Sequence, residues 1–327
     1  MKQKLLSLCP IADKEVEQII AKFYDIDVMS EPTEEKVFGA IAPYDAVIVP
    51  YTAPMLISER VIDAAPNLKL IASTYGGTRQ NIADIYAIER GITVIHTGAS
   101  RERPMAEYTL GLVLSSFLRI HNYHHDMVSG EAWPRFKYPR TRIVNNRSVA
   151  VVGYGRIGKA IVNLFKCFTD KISVVSRHLS AEDAAKDGVK VVSLNDAFAN
   201  NEVIILAGGH NSETDKLIKR EQFELMAPNA LFVNIARGKM VDEKAMAEVA
   251  AEKEIFLALD VFETEPLAED SPLRKNERVL LTPHRANNSI EFEERWKCLG
   301  SDIELFCTGK TPESALSVAR AKVMSES

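Results

Sequence analysis

The sequence predicts an α/β protein made of two Rossmann-like or flavodoxin-like doubly wound parallel sheets, one domain inserted into the other. Three observations lead there. Short apolar runs alternate with longer helical patterns from end to end, as parallel sheets with helical crossovers require. A glycine-rich turn, Gly153-Tyr154-Gly155-Arg156-Ile157-Gly158, joins an apolar run to a helical pattern. At 327 residues the chain exceeds the usual size of one core.

In the first hundred residues the strand candidates are Lys4–Leu8, Ala46–Pro50, Leu68–Ser73 and Thr93–His96. Val37, Ile41, Ile57, Val61 and Ile62 mark helical segments between them. An apolar-rich stretch from Pro104 to about Val128 follows; it lacks turn signals and reads as one helix crossing between domains. The second strand set is Ser148–Val152, Ile172–Ser176, Val203–Leu206, Leu231–Asn234, Phe256–Asp260 and Val279–Thr282. A last helical segment, Ile290 to about Phe306, has no sheet to join in the second domain and returns to the first. The expected division is 1–98 with 286–327 as the substrate domain and 99–285 as the cofactor domain.

Composition narrows the partners. Lys and Arg number 40 against 45 Asp and Glu, so a net charge of -5 offers no attraction to nucleic acid or an anionic membrane. No apolar stretch is long enough to span a bilayer. The start, Met1 to Leu8, meets Pro10 and then Asp13-Lys14-Glu15 too early for a signal peptide and reads as a first strand. Cys9, Cys167, Cys298 and Cys307 show no CxxC pair or zinc spacing and fit reduced thiols in a cytoplasmic protein. His121, His124 and His125 have helical spacing, but no acid or cysteine pattern joins them, and no metal site is expected.

The glycine turn follows Ala150-Val151-Val152 and opens the pattern Lys159 to Leu164, the context in which GxGxxG binds a dinucleotide. Gly153 permits the turn, Gly155 lets backbone approach the pyrophosphate, and Gly158 allows close helix–strand packing. Arg156 and Ile157 open the helix, whose N-terminal N–H groups face the phosphates. The next strand ends in Ser176-Arg177-His178, with no acid for a ribose 2′-hydroxyl. Ser176 and Arg177 suit a 2′-phosphate, with His178 as a second contact, so the cofactor is NAD(P), NADP favoured over NAD.

Three residues downstream fit reduction of a 2-keto acid. Arg237 follows Leu231 to Asn234 at a strand's C-terminal end, where a guanidinium can grip a carboxylate with two hydrogen bonds. Ile235 and Ala236 beside it are counted among the cofactor contacts. His284 follows Leu280-Leu281-Thr282-Pro283 and can protonate a keto oxygen. Glu265 can accept a hydrogen bond from the histidine ring and favour the imidazolium, although Glu263 lies two residues before it.

These signatures resemble the D-isomer-specific 2-hydroxyacid dehydrogenase family, which includes phosphoglycerate dehydrogenases, glyoxylate/hydroxypyruvate reductases and formate dehydrogenases. The resemblance runs from about Leu68 to Asn288. It implies Arg237, Glu265 and His284 as the catalytic set, selects Glu265 over Glu263, and puts Asp260 near the nicotinamide carboxamide. It also implies a homodimer through the cofactor domain, with Pro104–Val128 and the region of Trp133 near the contact. Tyr75, Gly76 and Gly77 match the loop whose amides hold the substrate carboxylate, and glycines suit backbone approach on their own account.

Departures matter as well. Tyr75 replaces a residue usually small in the family and either shapes the pocket or packs. Ala207-Gly208-Gly209-His210 replaces the frequent His-Leu-Pro, and Ser176-Arg177 resembles the NADP-preferring reductases. Arg285 follows the histidine where an aliphatic residue is usual; it either favours a second negative charge on the substrate or makes a surface salt bridge. Tyr51 and Arg101 complete the set of substrate-side candidates.

Two other readings compete. A short-chain dehydrogenase needs a tyrosine with lysine four residues on, and none of the nine tyrosines has one. A dinucleotide-sensing protein, like the corepressors that share this fold, shares the motifs too, so fold alone does not exclude it.

Overall fold

All paired strands of this computed structural model run parallel, as the alternation of apolar and helical segments predicts. The structure describes residues 2–52 and 54–323. They divide into two compact units, one running up to Arg101 and resuming at Ile290, the other Glu102–Ser289.

The first unit carries β1 (Gln3–Ser7), α1 (Lys14–Ala21), β2 (Tyr24–Val28), α2 (Glu34–Ala40), β3 (Ala46–Val49), α3 (Glu59–Asp63), β4 (Leu70–Ser73), α4 (Asp84–Glu89) and β5 (Thr93–His96). Its sheet has the order β2-β1-β3-β4-β5. Every residue of β3 and β4 is buried, which is why both read as unbroken apolar runs. β2 is the edge strand the sequence reading omits: only Tyr24 is buried in it, and Asp25 and Asp27 break the apolar signal. Asp13, Thr33 and Ser58 start the first three helices, each side chain accepting a first-turn N–H.

The second unit begins with α5 (Glu102–Phe117) and α6 (Ile120–Val128). The continuous helix expected over Pro104–Val128 is therefore two, broken at Leu118-Arg119. Arg119 takes a left-handed backbone at φ 52°. Its guanidinium is buried over the rings of Tyr138 and Phe256, a tertiary anchor invisible to helical periodicity. Then follow β6 (Val149–Val152), α7 (Arg156–Phe165), β7 (Ile172–Val175), α8 (Ala181–Lys186), β8 (Lys190–Val191), α9 (Leu194–Asn200), β9 (Val203–Leu206), α10 (Arg220–Leu225), β10 (Leu231–Asn234), α11 (Glu243–Lys253), β11 (Phe256–Leu259) and β12 (Val279–Leu281). The sheet order is β12-β11-β10-β9-β6-β7-β8. β8, a two-residue edge strand, also escapes sequence patterning.

After β12 the chain leaves the second sheet. A short 3₁₀ turn, Ile290–Glu294, precedes α12 (Arg295–Cys307), and α13 (Val318–Val323) follows. α12 buries Trp296, Leu299 and Ile303 in one core with Val16 and Ile20 of α1. Asp302, nearly fully buried, accepts the backbone N–H groups of Glu313 and Ser314 at 2.8 and 3.1 Å. Ser314 Oγ accepts the N–H of His96, and the Leu316 N–H donates to Val94 at 2.9 Å. This stitching ties the returning chain to β5, so the second unit is an insertion in the first. The divisions fall at 101/102 and 289/290, against the expected 98/99 and 285/286.

Strand order reverses at β6, with β7 and β8 on one side and β9 to β12 on the other; ligands of doubly wound sheets bind outside the carboxyl ends at such a point. The glycine turn lies there. Gly153 has φ 100°, and a Cβ on Gly158 would stand 2.1 Å from the Gly153 carbonyl oxygen. That neighbour is backbone and cannot move aside. Gly158→Ala is expected to destabilise the protein by about 2 kcal/mol or more in denaturant titrations. Gly39→Ala, in α2 with no atom near its added methyl, is expected to be neutral or to stabilise by about 0.5–1 kcal/mol.

Candidate active site

Parallel strands bring all their carboxyl ends to one edge, and the second unit gathers its sequence-predicted residues along that edge. Helix α7 starts at Gly155 with no side chain capping its first N–H groups, which leaves them available to an anion. Tyr154 donates its hydroxyl to Asp187 at 3.0 Å, and Lys159 pairs with the same carboxylate at 2.9 Å. Lys159 first and Tyr154 second hold the Asp187 carboxyl below its ordinary value, while burial and Asp187 push the Tyr154 phenol up to about 12. Arg156 lies on Glu102 at 3.2 Å, and Ile157 is partly buried against the core. At the tip of β7, Ser176 Oγ accepts the His178 N–H at 3.3 Å, and Arg177 and His178 are exposed.

Arg237 is half-buried one turn past β10. The Asn234 side chain shapes this turn: its Oδ1 accepts the Ala236 N–H at 3.0 Å and its Nδ2 donates to the Arg237 carbonyl at 3.3 Å. Arg237 Nη1 donates to the Ala236 carbonyl at 2.8 Å, and Ile235 and Ala236 are themselves buried. Gly238, to which the sequence reading gives no role, couples this turn to the next. A Cβ there would fall 1.8 Å from the Phe262 carbonyl carbon, so the backbone after Arg237 lies directly on the segment that carries Glu265.

His284 and Glu265 meet: Nδ1 of the ring is 2.8 Å from Oε2 of the carboxylate. Glu265 Oε1 accepts the Phe262 N–H at 3.1 Å, which sets the carboxylate's direction. Glu263 faces elsewhere; its carboxylate pairs with Lys216 at 2.9 Å and its N–H donates to Glu243. Burial, more than the nearby Glu263 charge, raises the Glu243 carboxyl. His284 has φ 53°, a conformation few non-glycine residues adopt.

Asp260 explains how that backbone is held. The sequence reading puts Asp260 among the cofactor contacts; in the structure it is fully buried and works as a brace. Its Oδ1 accepts the Thr282 hydroxyl at 2.7 Å and the Arg285 N–H at 2.9 Å, and its Oδ2 accepts the Ala286 N–H at 2.9 Å. Its own carbonyl accepts the His284 N–H at 2.8 Å. Burial raises the neighbouring Tyr108 phenol, with the Thr282 hydroxyl opposing and the Asp260 charge adding to the rise. The Arg285 guanidinium lies on the neutral side-chain amide of Asn288.

In the first unit, the Tyr75-Gly76-Gly77 loop follows β4. Gly76 is buried beneath Arg101, whose Nη2 would stand 1.8 Å from a Cβ at position 76. The same guanidinium sits 4.4 Å over the Tyr75 ring, and Tyr51 stacks on Tyr75 at 4.4 Å. Tyr75 therefore packs in an aromatic cluster, and the Arg101 guanidinium occupies the space where a side chain at 76 would begin. Gly77 has open space where a side chain would begin. Among the described residues no group of three or more His, Cys, Asp or Glu could hold a metal, and no helix is long and apolar enough to cross a membrane.

A family profile, "D-isomer specific 2-hydroxyacid dehydrogenase, NAD binding domain", matches residues 110–286, from within α5 to just past His284. A protein named as a 2-hydroxyacid dehydrogenase from Staphylococcus haemolyticus is 32% identical over 263 residues, 79% of this chain and 81% of its own. A D-3-phosphoglycerate dehydrogenase from Archaeoglobus fulgidus is 30% identical over 89% of this chain, which spans 54% of that longer relative. In structure, a protein from Pyrococcus horikoshii OT3 aligns with TM-score 0.81 and 27% identity, over 97% of this chain and 96% of that one. Apo D-mandelate dehydrogenase from Rhodotorula graminis aligns with TM-score 0.86 at 19% identity, covering 97% and 98%, a likeness of fold. Two parallel-sheet units, the glycine turn and the match through Arg237, Glu265 and His284 agree: the chain belongs to the D-isomer specific 2-hydroxyacid dehydrogenase family.

Proposed function

We propose that the chain interconverts a small 2-keto acid and its D-2-hydroxy acid with NAD(P)(H). The observation that carries this reading is the His284–Glu265 pair at 2.8 Å, on the same sheet edge as Arg237 and the glycine turn. The turn fits a dinucleotide: an uncapped helix N-terminus faces outward, and Gly153 and Gly158 leave no room for side chains where backbone must close up. Gly153, Gly155, Arg156, Ile157 and Gly158 would hold the pyrophosphate, and Ser176, Arg177 and His178 the ribose end, with NADP favoured. A bound reduced nicotinamide supplies the hydride to the substrate's C2.

The chain's own residues do the rest. With Nδ1–H donating to Glu265, His284 keeps Nε2 for the proton exchanged with the substrate oxygen. Glu265 fixes the ring and stabilises its charged form; Phe262 N–H in turn holds Glu265. Arg237 grips the carboxylate, which orients the carbonyl. Tyr75, Gly76 and Gly77 remain the proposed substrate-facing loop of the first unit. A sensor with little turnover is the second reading; it needs no proton donor, and the paired His284 favours the enzyme.

His284→Ala is expected to lower kcat about 10²–10⁴-fold with little change in cofactor affinity, whereas Arg237→Ala should lower kcat and raise KM together. Steady-state rates on a panel of 2-keto acids check both; parental turnover in His284→Ala across pH would overturn the assignment. The backbone at 284 gives an independent readout. His284→Gly should be about 1 kcal/mol more stable than His284→Ala in denaturant titration, because glycine removes the cost of positive φ.

We also propose a homodimer through the second unit. Ile120, Met127, Val128, Trp133, Phe136 and Ile143 are exposed within one segment, and Phe136 is 85% exposed. Exposed apolar side chains concentrated in one stretch of chain suit burial against a second copy. Sedimentation equilibrium should give twice the chain mass for the parent and a shift toward monomer for Trp133→Ser/Phe136→Ser; an unchanged mass in that variant would remove these residues from the contact.

A further inference from the structure

β7 ends at Val175 and is followed by Ser176, Arg177 and His178, so the strand tip has no acid for a free 2′-hydroxyl. The fold supplies one from elsewhere. Glu213 lies 36 residues further on, and its Oε2 accepts from Arg177 Nη1 at 2.6 Å. β6 separates β9 from β7 in the sheet, so the loop leaving β9 passes over the end of β6 to bring Glu213 to Arg177. That loop starts against the glycine turn, where a Cβ on Gly153 would stand 2.6 Å from Gly208 Cα. It is a built loop. Asn211, mostly buried, accepts the N–H groups of Glu213 and Thr214 on Oδ1 at 3.0 and 3.2 Å, and donates its own N–H to Thr214 Oγ1 at 2.8 Å. The Thr214 hydroxyl donates to the Gly209 carbonyl at 3.0 Å.

We propose that Arg177 and Glu213 together select between NAD and NADP, with Glu213 as the acid that the β7 tip lacks. The inference rests on the dinucleotide reading above. A ribose with a free 2′-hydroxyl donates to Glu213 and leaves the ion pair whole. A 2′-phosphate, carrying about -1.5 to -2 charges at neutral pH, must take the guanidinium from Glu213 and lie beside a like charge. Glu213 therefore narrows the preference for NADP that Arg177 gives, by occupying Arg177 and by repulsion, and keeps both cofactors usable by one site. The pair is exposed, 61% and 66% for the two side chains, so its loss changes selectivity without costing the fold.

The test is calorimetric binding of adenosine 2′,5′-bisphosphate and of ADP to the full chain, which needs no turnover. Glu213→Gln should tighten the 2′-phosphorylated ligand about tenfold and weaken ADP about threefold, because the free 2′-hydroxyl then exchanges a charge-assisted hydrogen bond for a neutral one. Arg177→Ala should weaken the 2′-phosphorylated ligand about tenfold, and Glu213→Gln should then tighten it by less than in the parent, because only the repulsion remains to be relieved. Thermal melting of each variant should match the parent. If the parent binds both ligands and Glu213→Gln leaves their ratio unchanged, the selector is overturned and the dinucleotide site stands. If neither ligand, nor NAD or NADP, binds the parent, the dinucleotide reading fails and the selector falls with it.

Discussion

A buried carboxylate organises the proposed catalytic edge. Asp260 stands at the end of β11, fully out of solvent, and an ionised group in that position is tolerable only if its lone pairs are filled. Three donors fill them, and all three come from the segment after β12: the Thr282 hydroxyl and the N–H groups of Arg285 and Ala286. Satisfying Asp260 therefore forces the chain to wrap around it. His284, inside that wrap, is left with a backbone that L residues seldom take. The strain persists because the surrounding hydrogen bonds over-determine it.

The rest of the edge is fastened by close backbone approach. Gly238 lets the turn after β10 lie on the peptide of Phe262, so the segments of Arg237 and Glu265 pack backbone to backbone. Gly153 and Gly208 do the same across the point where strand order reverses. Arg237, Asp260 and His284 each stand within three residues of a strand's last residue. Positions held this way suit chemistry that depends on small distances. The first unit uses a different device: Arg101 fills the space over Gly76 and stacks on Tyr75, so an aromatic and cationic cluster backs the glycine loop.

Legibility followed burial. β3, β4, β6, β9, β10 and β11 could be read as strands because nearly all their residues are apolar and buried. β2 and β8 could not, since β2 buries only Tyr24 and the two residues of β8 include none that is buried. The break between α5 and α6 was hidden because a buried arginine over two rings makes it, and arginine carries no turn signal. His284 and Glu265 were legible as a candidate pair from their signatures, and they do meet. Asp260 was legible as important but not as a brace, because its partners are backbone N–H groups that any sequence would offer.

By itself, the sequence determined the alternation of strands and helices, the glycine turn, and which side chains could do acid–base and anion-binding work. Those properties are local: period, residue type and spacing decide them. Tertiary structure alone decided that Gly238 lays one turn on the other, and that Glu213 arrives at Arg177 from a loop on the far side of β6. Each depends on which strand ends become neighbours when a parallel sheet is wound outward in both directions from its first strand. That order comes from burying every strand's two faces at once, so it belongs to the folded sheet and to no segment of it.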